Sequence, residues 1–249
     1  MIPGVNCDGQ IRASGRVDQE PLANTGDAAR NIIGGERADR NEYKYQVYFT
    51  ENDIFICSGT ILDSVTVLTA AHCFESGLNN GVVHQVVAGD YRYQANDGTE
   101  QVRSLRALAI HPDYDTNDFM SPDIAVLKLS RPFNFNTNVG EPVKIPSPNE
   151  SPDRLQELKL PIKSFSQCQS TALSYYEETW NSKFLCTISS GKSVCNGDSG
   201  SPIVCFLNNT PFQLGIVSWH GSDCATDGFS AYTRTLSHRG WILARIANL

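Results

Sequence analysis

The chain has 249 residues, which accommodates one large domain or two small ones with an ample core. With 40% hydrophobic residues and a formal net charge of −7, it shows no apolar run near the length of a membrane span, and the charge argues against nucleic acid or an anionic membrane as a partner. Eight cysteines in a chain of this size indicate an oxidising compartment, so we expect a secreted, extracellular protein.

Residues 1–31 differ from the rest of the chain. They are polar, rich in Gly, Asn and Asp, and lack hydrophobic periodicity. We interpret them as an N-terminal propeptide.

From residue 44 onward, short alternating or apolar runs are separated by turn residues, which is typical of antiparallel strands in a sandwich or a barrel. The runs are YQVYF, IFICSGTIL, VTVLTAA, VVHQVVAG, VRSLRALAI and IAVLKL, followed by LQELKLPI, KFLCTI, SPIVCF, QLGIVSW and FSAYTR. Between Leu236 and Ile246 apolar residues recur at roughly helical spacing, which predicts a C-terminal helix.

Three motifs, TAAHC, DIAVLKL and GDSGSP, place a His, an Asp and a Ser in distinct local contexts. His72 follows an apolar run, as at the end of a buried strand, and Asp123 opens an alternating apolar strand. Ser199 lies between Gly197 and Gly200, which let the backbone bend sharply without a Cβ clash. A serine hydroxyl becomes nucleophilic when an imidazole takes its proton, and the imidazole needs a buried carboxylate to orient it.

In this order the motifs resemble those of the chymotrypsin–trypsin family of serine endopeptidases. IIGGE at 32–36 is similar to the family's mature N-terminus, 151–168 is similar to a middle segment of digestive chymotrypsins, and GIVSWH and WILARIANL are also similar. The resemblance implies an all-β fold over residues 32–249: two antiparallel six-stranded β-barrels, at about 32–135 and 136–249, with a C-terminal helix and the active site between the barrels.

The resemblance implies a role for each motif residue. Ser199 is expected to be the nucleophile, His72 the general base and then acid, and Asp123 the orienting carboxylate. The backbone N–H groups of Gly197 and Ser199 are expected to stabilise the oxyanion.

Activation in the family is a cut before an Ile whose new ammonium group pairs with the Asp beside the nucleophile. The matching residues are Ile32 and Asp198. Because Asn31 precedes Ile32, a trypsin-like cut after Arg30 leaves one residue too many, so cleavage after Asn31, or trimming, is needed.

Five residues match the family's substrate pocket: Ser193, Ser218, Trp219, His220 and Ser230. Ser193 is at the pocket floor, where trypsin-like members carry an Asp, so we expect no cleavage after Lys or Arg. His220 and Ser230 replace usual glycines. His220 either narrows the entrance, as bulky residues do in elastases, or swings to solvent and leaves a chymotrypsin-like pocket.

The cysteines form a disulfide framework by resemblance. The implied pairs are Cys57–Cys73, Cys168–Cys186 and Cys195–Cys224. Metal ligation is the competing interpretation of clustered Cys and His, but the sequence has no CxxC pair. Cys7 and Cys205 remain; the position of the family partner of Cys7 is Lys144.

A gap separates KIPSP from SPDRLQ, where the family has a strand with a TGWG-like motif and a flexible loop; here only Asn149 and Glu150 remain. A strand of the second barrel is therefore missing, which exposes two strand edges. We expect low stability, weak or no activity, and a Cys205 that reacts with alkylating agents in the native chain. A skipped exon or faulty gene model and an isoform with impaired folding are favoured over a compact variant that closes differently.

The loop at 89–100 resembles the calcium loop of some family members. The implied ligands are the side chains of Asp90, Asp97 and Glu100 and the backbone carbonyls of Arg92 and Ala95. A solvated acidic hairpin turn is the alternative that we favour.

The sequence thus predicts a secreted serine endopeptidase zymogen of chymotrypsin- or elastase-like specificity. We expect a monomer that needs no cofactor, with protein or peptide substrates and protein inhibitors as partners. The alternatives are an inactive homologue that binds or regulates, or a splice or gene-model variant that folds poorly. The intact triad speaks against these alternatives, and the missing strand speaks for them.

Overall fold

The computed structural model describes residues 10–11, 39–79, 81–93, 95–140, 142–146, 162–190, 193–207, 210–221 and 228–249. The strands are β1 (Gln10–Ile11), β2 (Gln46–Glu51), β3 (Ile54–Asp63), β4 (Thr66–Thr69), β5 (His84–Ala88), β6 (Gln101–Ile110), β7 (Ala125–Leu129), β8 (Phe184–Ile188), β9 (Pro202–Leu207), β10 (Thr210–His220) and β11 (Phe229–Arg234). The helices are α1 (Phe165–Tyr176), α2 (Arg239–Asn248) and two 3-10 turns, His72–Phe74 and Thr235–His238.

The first half of the chain forms a closed antiparallel barrel in the order β2-β3-β4-β7-β6-β5. Its interior is filled by side chains that alternate along the strands, and Phe49, Ile61, Val86 and Leu127 are fully buried. Alternation with period two places these residues on the same face, so the barrel that the resemblance implied is confirmed.

The second half forms a sheet of five strands among the described residues, in the order β1-β9-β10-β11-β8, and this sheet is not closed. Ile203, Val217 and Tyr232 lie in its core. Among the described residues the second half is a half-barrel, in agreement with the prediction of a second barrel that lacks a strand. Most of the predicted strand LQELKLPI lies outside the described residues, and only Ile162 is described, in a single bridge to Thr187.

Helix α1 was not predicted from the sequence. Its N-terminus is a capping box: the Ser164 side chain accepts from the backbone N–H of Gln167, and the Gln167 side chain accepts from the backbone N–H of Ser164. The helix ends where Glu177 adopts a left-handed conformation with φ of 57°. A Ser followed three residues later by a Gln was the signal that could have revealed this helix.

The predicted C-terminal helix is confirmed, although it begins at Arg239, after a 3-10 turn, instead of at Leu236. Ile242 of α2 is fully buried beside Leu68 and Val126 of the first barrel and Ile216 of β10. The helix and the second sheet therefore share a core with the first barrel.

The structure contains the disulfides Cys57–Cys73 and Cys168–Cys186. Cys195 is also disulfide-bonded, whereas Cys224 and Cys7 lie outside the described residues. Cys205 is fully buried in β9, so the expectation that it reacts with alkylating agents in the native chain is wrong. Burial in the core of the second sheet keeps the reagent away from the thiol.

Candidate active site

His72 and Asp123 come together through two hydrogen bonds. His72 begins the 3-10 turn after β4, and Asp123 lies just before β7, the strand that pairs with β4. The ring Nδ1 of His72 lies 2.7 Å from Oδ2 of Asp123, and the backbone N–H of His72 donates to Oδ1 at 2.9 Å. Both carboxylate oxygens thus fix one imidazole, which leaves Nε2 as the ring nitrogen directed away from the acid.

The carboxylate of Asp123 is itself held from the second sheet. Ser218 of β10 donates its hydroxyl to Oδ2 at 2.7 Å, and Thr233 of β11 donates to the backbone carbonyl of Asp123 at 3.0 Å. Asp123 is only 5% exposed, so the hydroxyl of Ser218 and the two N–H groups of His72 replace the water that the buried carboxylate has lost. The pair therefore depends on contacts from both halves of the chain.

The environment of His72 shifts its protonation. Burial alone lowers the pKa of the imidazole, but the hydrogen bond to Asp123 and the negative charges of Asp123 and Glu75 outweigh burial and raise the pKa above its usual value. The ring is thus suited to take up a proton and to release it again during a reaction.

Ser199 lies in a turn that is packed against the first barrel. The backbone carbonyl of Ser199 accepts a hydrogen bond from the N–H of Ser58 at 2.8 Å. A Cβ on Gly200, whose φ is +81°, would lie 2.2 Å from the Ser58 carbonyl and from Thr69 Oγ1, so only glycine fits there. Ser58 lies in β3 beside Cys57, and Thr69 ends β4, the strand that precedes His72. The Ser199 turn therefore lies at the His72 end of the first barrel.

The turn has the backbone shape that presents N–H groups. Gly197 has a φ of 95°, which lies in the region that glycine adopts readily. Asp198 is fully buried, and one of its carboxylate oxygens accepts from the N–H of Cys195 at 2.9 Å. Ile32, the expected partner of Asp198, lies outside the described residues.

Ser193, the predicted pocket floor, and Ser230, predicted on the opposite wall, are polar but carry no charge. Ser193 and Ser230 are both buried, and their hydroxyl oxygens lie 3.2 Å apart. Ser193 donates to the carbonyl of Val194, and the N–H of Val194 donates to Ser230. A positively charged side chain would find no carboxylate at these residues.

The ring of His220, at the end of β10, lies between two oxygen acceptors, and in its neutral form it donates to one of them at a time. Nδ1 lies 2.6 Å from the carbonyl of Gly221, and Nε2 lies 3.3 Å from Oδ1 of Asn196, three residues before Ser199. The ring therefore bridges from β10 to the loop that leads to the nucleophile. The direction of this ring was left open by the sequence, and Asn196 was not predicted as a site residue. Its place next to the predicted oxyanion residue Gly197 was the available signal.

Trp219 is part of an aromatic cluster. Its indole N–H donates to the carbonyl of Phe119 at 3.1 Å, and its ring packs against Phe119, Trp180 and Phe229. Phe119 is 60% exposed, so it offers an apolar surface beside Trp219. Sequence analysis missed Phe119, and its signal is an exposed aromatic residue in the polar segment TNDFMSPD before Asp123.

The acidic loop between β5 and β6 brings together the three predicted calcium ligands. Carboxylate oxygens of Asp90, Asp97 and Glu100 lie within 4.8 Å of one another. However, Arg40 and Arg92 each place a guanidinium nitrogen 2.7 Å from Oδ1 of Asp97. Burial opposes ionisation of Asp97, but these guanidinium groups hold its pKa below the usual value. The donor set therefore does not fit a calcium ion in this arrangement, because two cations already engage the central carboxylate.

Other features of the loop agree with this ion-pair arrangement. Asp90 accepts a hydrogen bond from the phenol of Tyr48 at 2.8 Å. Burial raises the pKa of Asp90, and the hydrogen bond from Tyr48 partly opposes that rise. The carbonyl of Arg92 accepts from the N–H of Ala95 at 2.9 Å, so it serves to close a turn.

Comparison with known proteins agrees with the geometry. The family model for trypsin matches residues 32–242. The chain is 34% identical to trypsin I-P1 of Gallus gallus over 236 residues, which cover 85% of this chain and 87% of that protein. It is 32% identical to trypsin-3 of Salmo salar over 240 residues, which cover 87% and 93%.

A longer relative is also similar. Ovochymase-2 of Mus musculus is 31% identical over 212 residues, which cover 76% of this chain but only 34% of that protein. The chain thus spans about a third of the length of this relative. None of the described helices is long and apolar enough to cross a membrane. The matched family model, the trypsin relatives and the half-closed pair of β-barrels together show that the chain belongs to the trypsin family of serine endopeptidases.

Proposed function

We propose that this chain hydrolyses peptide bonds as an endopeptidase through Ser199, His72 and Asp123. The observation that carries the proposal is the double hydrogen bond of Asp123 to His72, with the Ser199 turn packed at the same end of the first barrel. Asp123 holds Nδ1, so Nε2 of His72 takes the proton of the Ser199 hydroxyl as that oxygen attacks the scissile carbonyl.

The second half of the reaction uses the same proton. His72 gives it to the leaving amine, and a water molecule then hydrolyses the acyl group on Ser199 with His72 again as base. The backbone N–H groups of Gly197 and Ser199 stabilise the negative oxygen that forms in each step. The reaction needs only side chains and backbone, so no cofactor takes part.

We further propose that the chain is secreted as a monomeric zymogen, with residues 1–31 preceding a protease domain at 32–249. Burial of a carboxylate such as that of Asp198 is costly unless a cation approaches closely, and the ammonium group of a cleaved Ile32 supplies one.

Replacing Ala28, Ala29, Arg30 and Asn31 by Asp, Asp, Asp and Lys creates a run of four Asp and a Lys directly before Ile32. Enteropeptidase can then activate the chain at a defined bond.

For the substrate, we propose proteins and peptides cut after uncharged residues. A Lys or Arg side chain over Ser193 and Ser230 loses its hydration without gaining a counter-charge, which costs several kcal/mol. The relatives named trypsin do not settle the preference of this chain, because the specificity rests on its own pocket residues. A peptide library digested by the activated chain, with the Ser199→Ala variant as the blank, tests this proposal. Dominant cuts after Lys or Arg would contradict it.

His220→Gly is expected to raise the ratio of cleavage after Phe or Tyr to cleavage after Ala about tenfold, as measured by kcat/KM on matched peptides. We propose that the imidazole of His220, whose Nε2 lies 3.3 Å from Oδ1 of Asn196, restricts the approach to the pocket, so the substitution opens that approach. Asn196→Ala is the matched comparison, since it removes the bridge but keeps the ring, and it should give a smaller rise. A ratio that is unchanged by His220→Gly would show that the ring does not restrict the pocket.

We propose that the acidic loop is held by Arg40 and Arg92 without a structural calcium ion. Treatment with EDTA should therefore change Tm by less than about 1 °C, whereas Arg92→Ala should lower it by a few degrees because Asp97 loses an ion pair. Arg106→Ala, which removes an exposed arginine from β6, is the control and should have little effect. A clear fall of Tm in EDTA that calcium restores would overturn the proposal.

A further inference from the structure

One edge of β9 is covered by a segment from the far end of the chain. β10 pairs with one side of β9, and β1 pairs antiparallel with the other side. In that ladder Gln10 lies opposite Val204, and Ile11 lies opposite Ile203. The N-terminal segment, interpreted from the sequence as a propeptide, thus contributes a strand to the second sheet.

The covered edge is the one that most needs a partner. Between Pro148 and Ser151 only Asn149 and Glu150 remain, where the family resemblance implies a further strand of this barrel. An unpaired edge strand invites pairing with other chains. β1 stands at the outer end of the sheet, with β9 as its only neighbour among the described strands. A strand from elsewhere in the chain thus occupies an edge that the shortened sequence leaves open.

β9 is directly continuous with the nucleophile turn. Pro202, its first residue, follows Ser199 by three positions. The N–H of Gly200 donates to the carbonyl of Val217, and the N–H of Val217 donates to the carbonyl of Ser201. Ordering β9 therefore also orders the backbone that carries Ser199.

We propose that Gln10 and Ile11 act as a donor strand that replaces the missing strand of the second barrel, and that they stay on β9 after the chain is cut before Ile32. Residues 12–31 span roughly 70 Å when extended, which is long enough for a protease to reach the bond before Ile32 while β1 stays paired with β9. After the cut, Ile32 is no longer joined to β1 and can move without it. The N-terminal segment is then a lasting part of the folded enzyme instead of a peptide that is discarded on activation.

Hydrogen exchange tests whether β1 covers β9. The experiment uses the full chain with Ser199→Ala, which prevents self-digestion and makes the readout independent of catalysis. Gln10→Pro with Ile11→Pro removes both backbone N–H donors of β1. We expect the peptide covering residues 202–207 to exchange at least about tenfold faster, while a peptide covering β7 keeps its rate. The matched control carries Ala23→Pro and Asn24→Pro and should exchange like the parent.

Cleavage tests whether β1 stays. The same background receives the enteropeptidase site before Ile32 and Cys7→Ser, which excludes retention through a disulfide of Cys7. After complete cleavage, the fragment 1–31 should elute with the rest of the chain in gel filtration. It should separate when Gln10 and Ile11 are proline.

Both outcomes are required. Unchanged exchange of residues 202–207 in the double proline variant would overturn the proposal, and so would loss of the fragment from the cleaved chain that keeps Gln10 and Ile11. If the double proline variant fails to fold while its control folds, the proposal is tested by gel filtration of the cleaved chain with native Gln10 and Ile11. Co-elution of fragment 1–31 then supports the proposal, and its separation contradicts it.

Discussion

Replacing Ser199 by Ala is expected to lower kcat of the activated chain by up to about a million-fold, to a small residual rate, while Tm stays within about 1 °C. The three triad residues act as a unit, so loss of the nucleophile removes nearly all of their joint effect, and only binding and oxyanion stabilisation remain. The fold should persist because the structural contacts of Ser199 are made by its backbone, through the carbonyl that accepts from Ser58.

Ser201→Ala is the matched control for this change. Ser201 lies in the same turn, and among the described residues its hydroxyl accepts a long bond of 3.4 Å from the side chain of Gln46. We expect it to keep kcat within about tenfold of the parent. Equal hydrolysis by the parent and the Ser199→Ala variant would show that the nucleophile is another residue.

Asp123→Asn is expected to lower kcat about ten-thousand-fold, a magnitude taken from the same change in related triads. An amide can donate a hydrogen bond to Nδ1 of His72, which moves the ring proton to Nε2. A ring in that tautomer cannot accept the proton of Ser199. The buried site otherwise keeps its shape, because Asn and Asp are nearly isosteric.

The pH profile gives this prediction a second readout. Activity requires neutral His72, so it falls on the acid side as pH drops through the pKa of that ring. Asp123 raises the pKa of His72. In the Asn variant this contribution is lost, and burial, which lowers the pKa of His72, becomes the largest influence. The acid limb should therefore move to lower pH. Glu75→Gln removes a weaker charge and should move the limb in the same direction by less, without the large loss of kcat.

The residues of the candidate site that sequence analysis identified best are those with a local signature. His72, Asp123 and Ser199 lie beside apolar strands or between glycines, and these surroundings can be read within a few neighbouring residues. The strands of the first barrel were predictable for the same reason, since alternation is a local pattern. The hydrogen bond between Asp123 and Ser218 joins residues that are 95 positions apart, and no local pattern indicates it.

The features that sequence analysis missed depend on tertiary contacts. The bridge from His220 to Asn196 spans 24 positions, and β1 is only two residues long, so neither produces a periodic pattern. Cys205 was expected to be exposed because a strand is missing, yet it is fully buried in the sheet core. Losing one strand does not by itself expose the side chains of its neighbour. Those side chains point to the faces of the sheet, where the core still covers them, and a substitute strand can cover the open edge.

The central claim is that Ser199 is an activated nucleophile in an assembled site, and labelling with a phosphonofluoridate tests it most directly. The chain is activated at the engineered bond before Ile32, treated with the reagent at neutral pH, digested and mapped by mass spectrometry. We predict one adduct, on Ser199, that is abolished by Ser199→Ala and strongly slowed by Asp123→Asn. An activated, folded chain with no adduct on Ser199, or with equal labelling of other serines, would contradict the account.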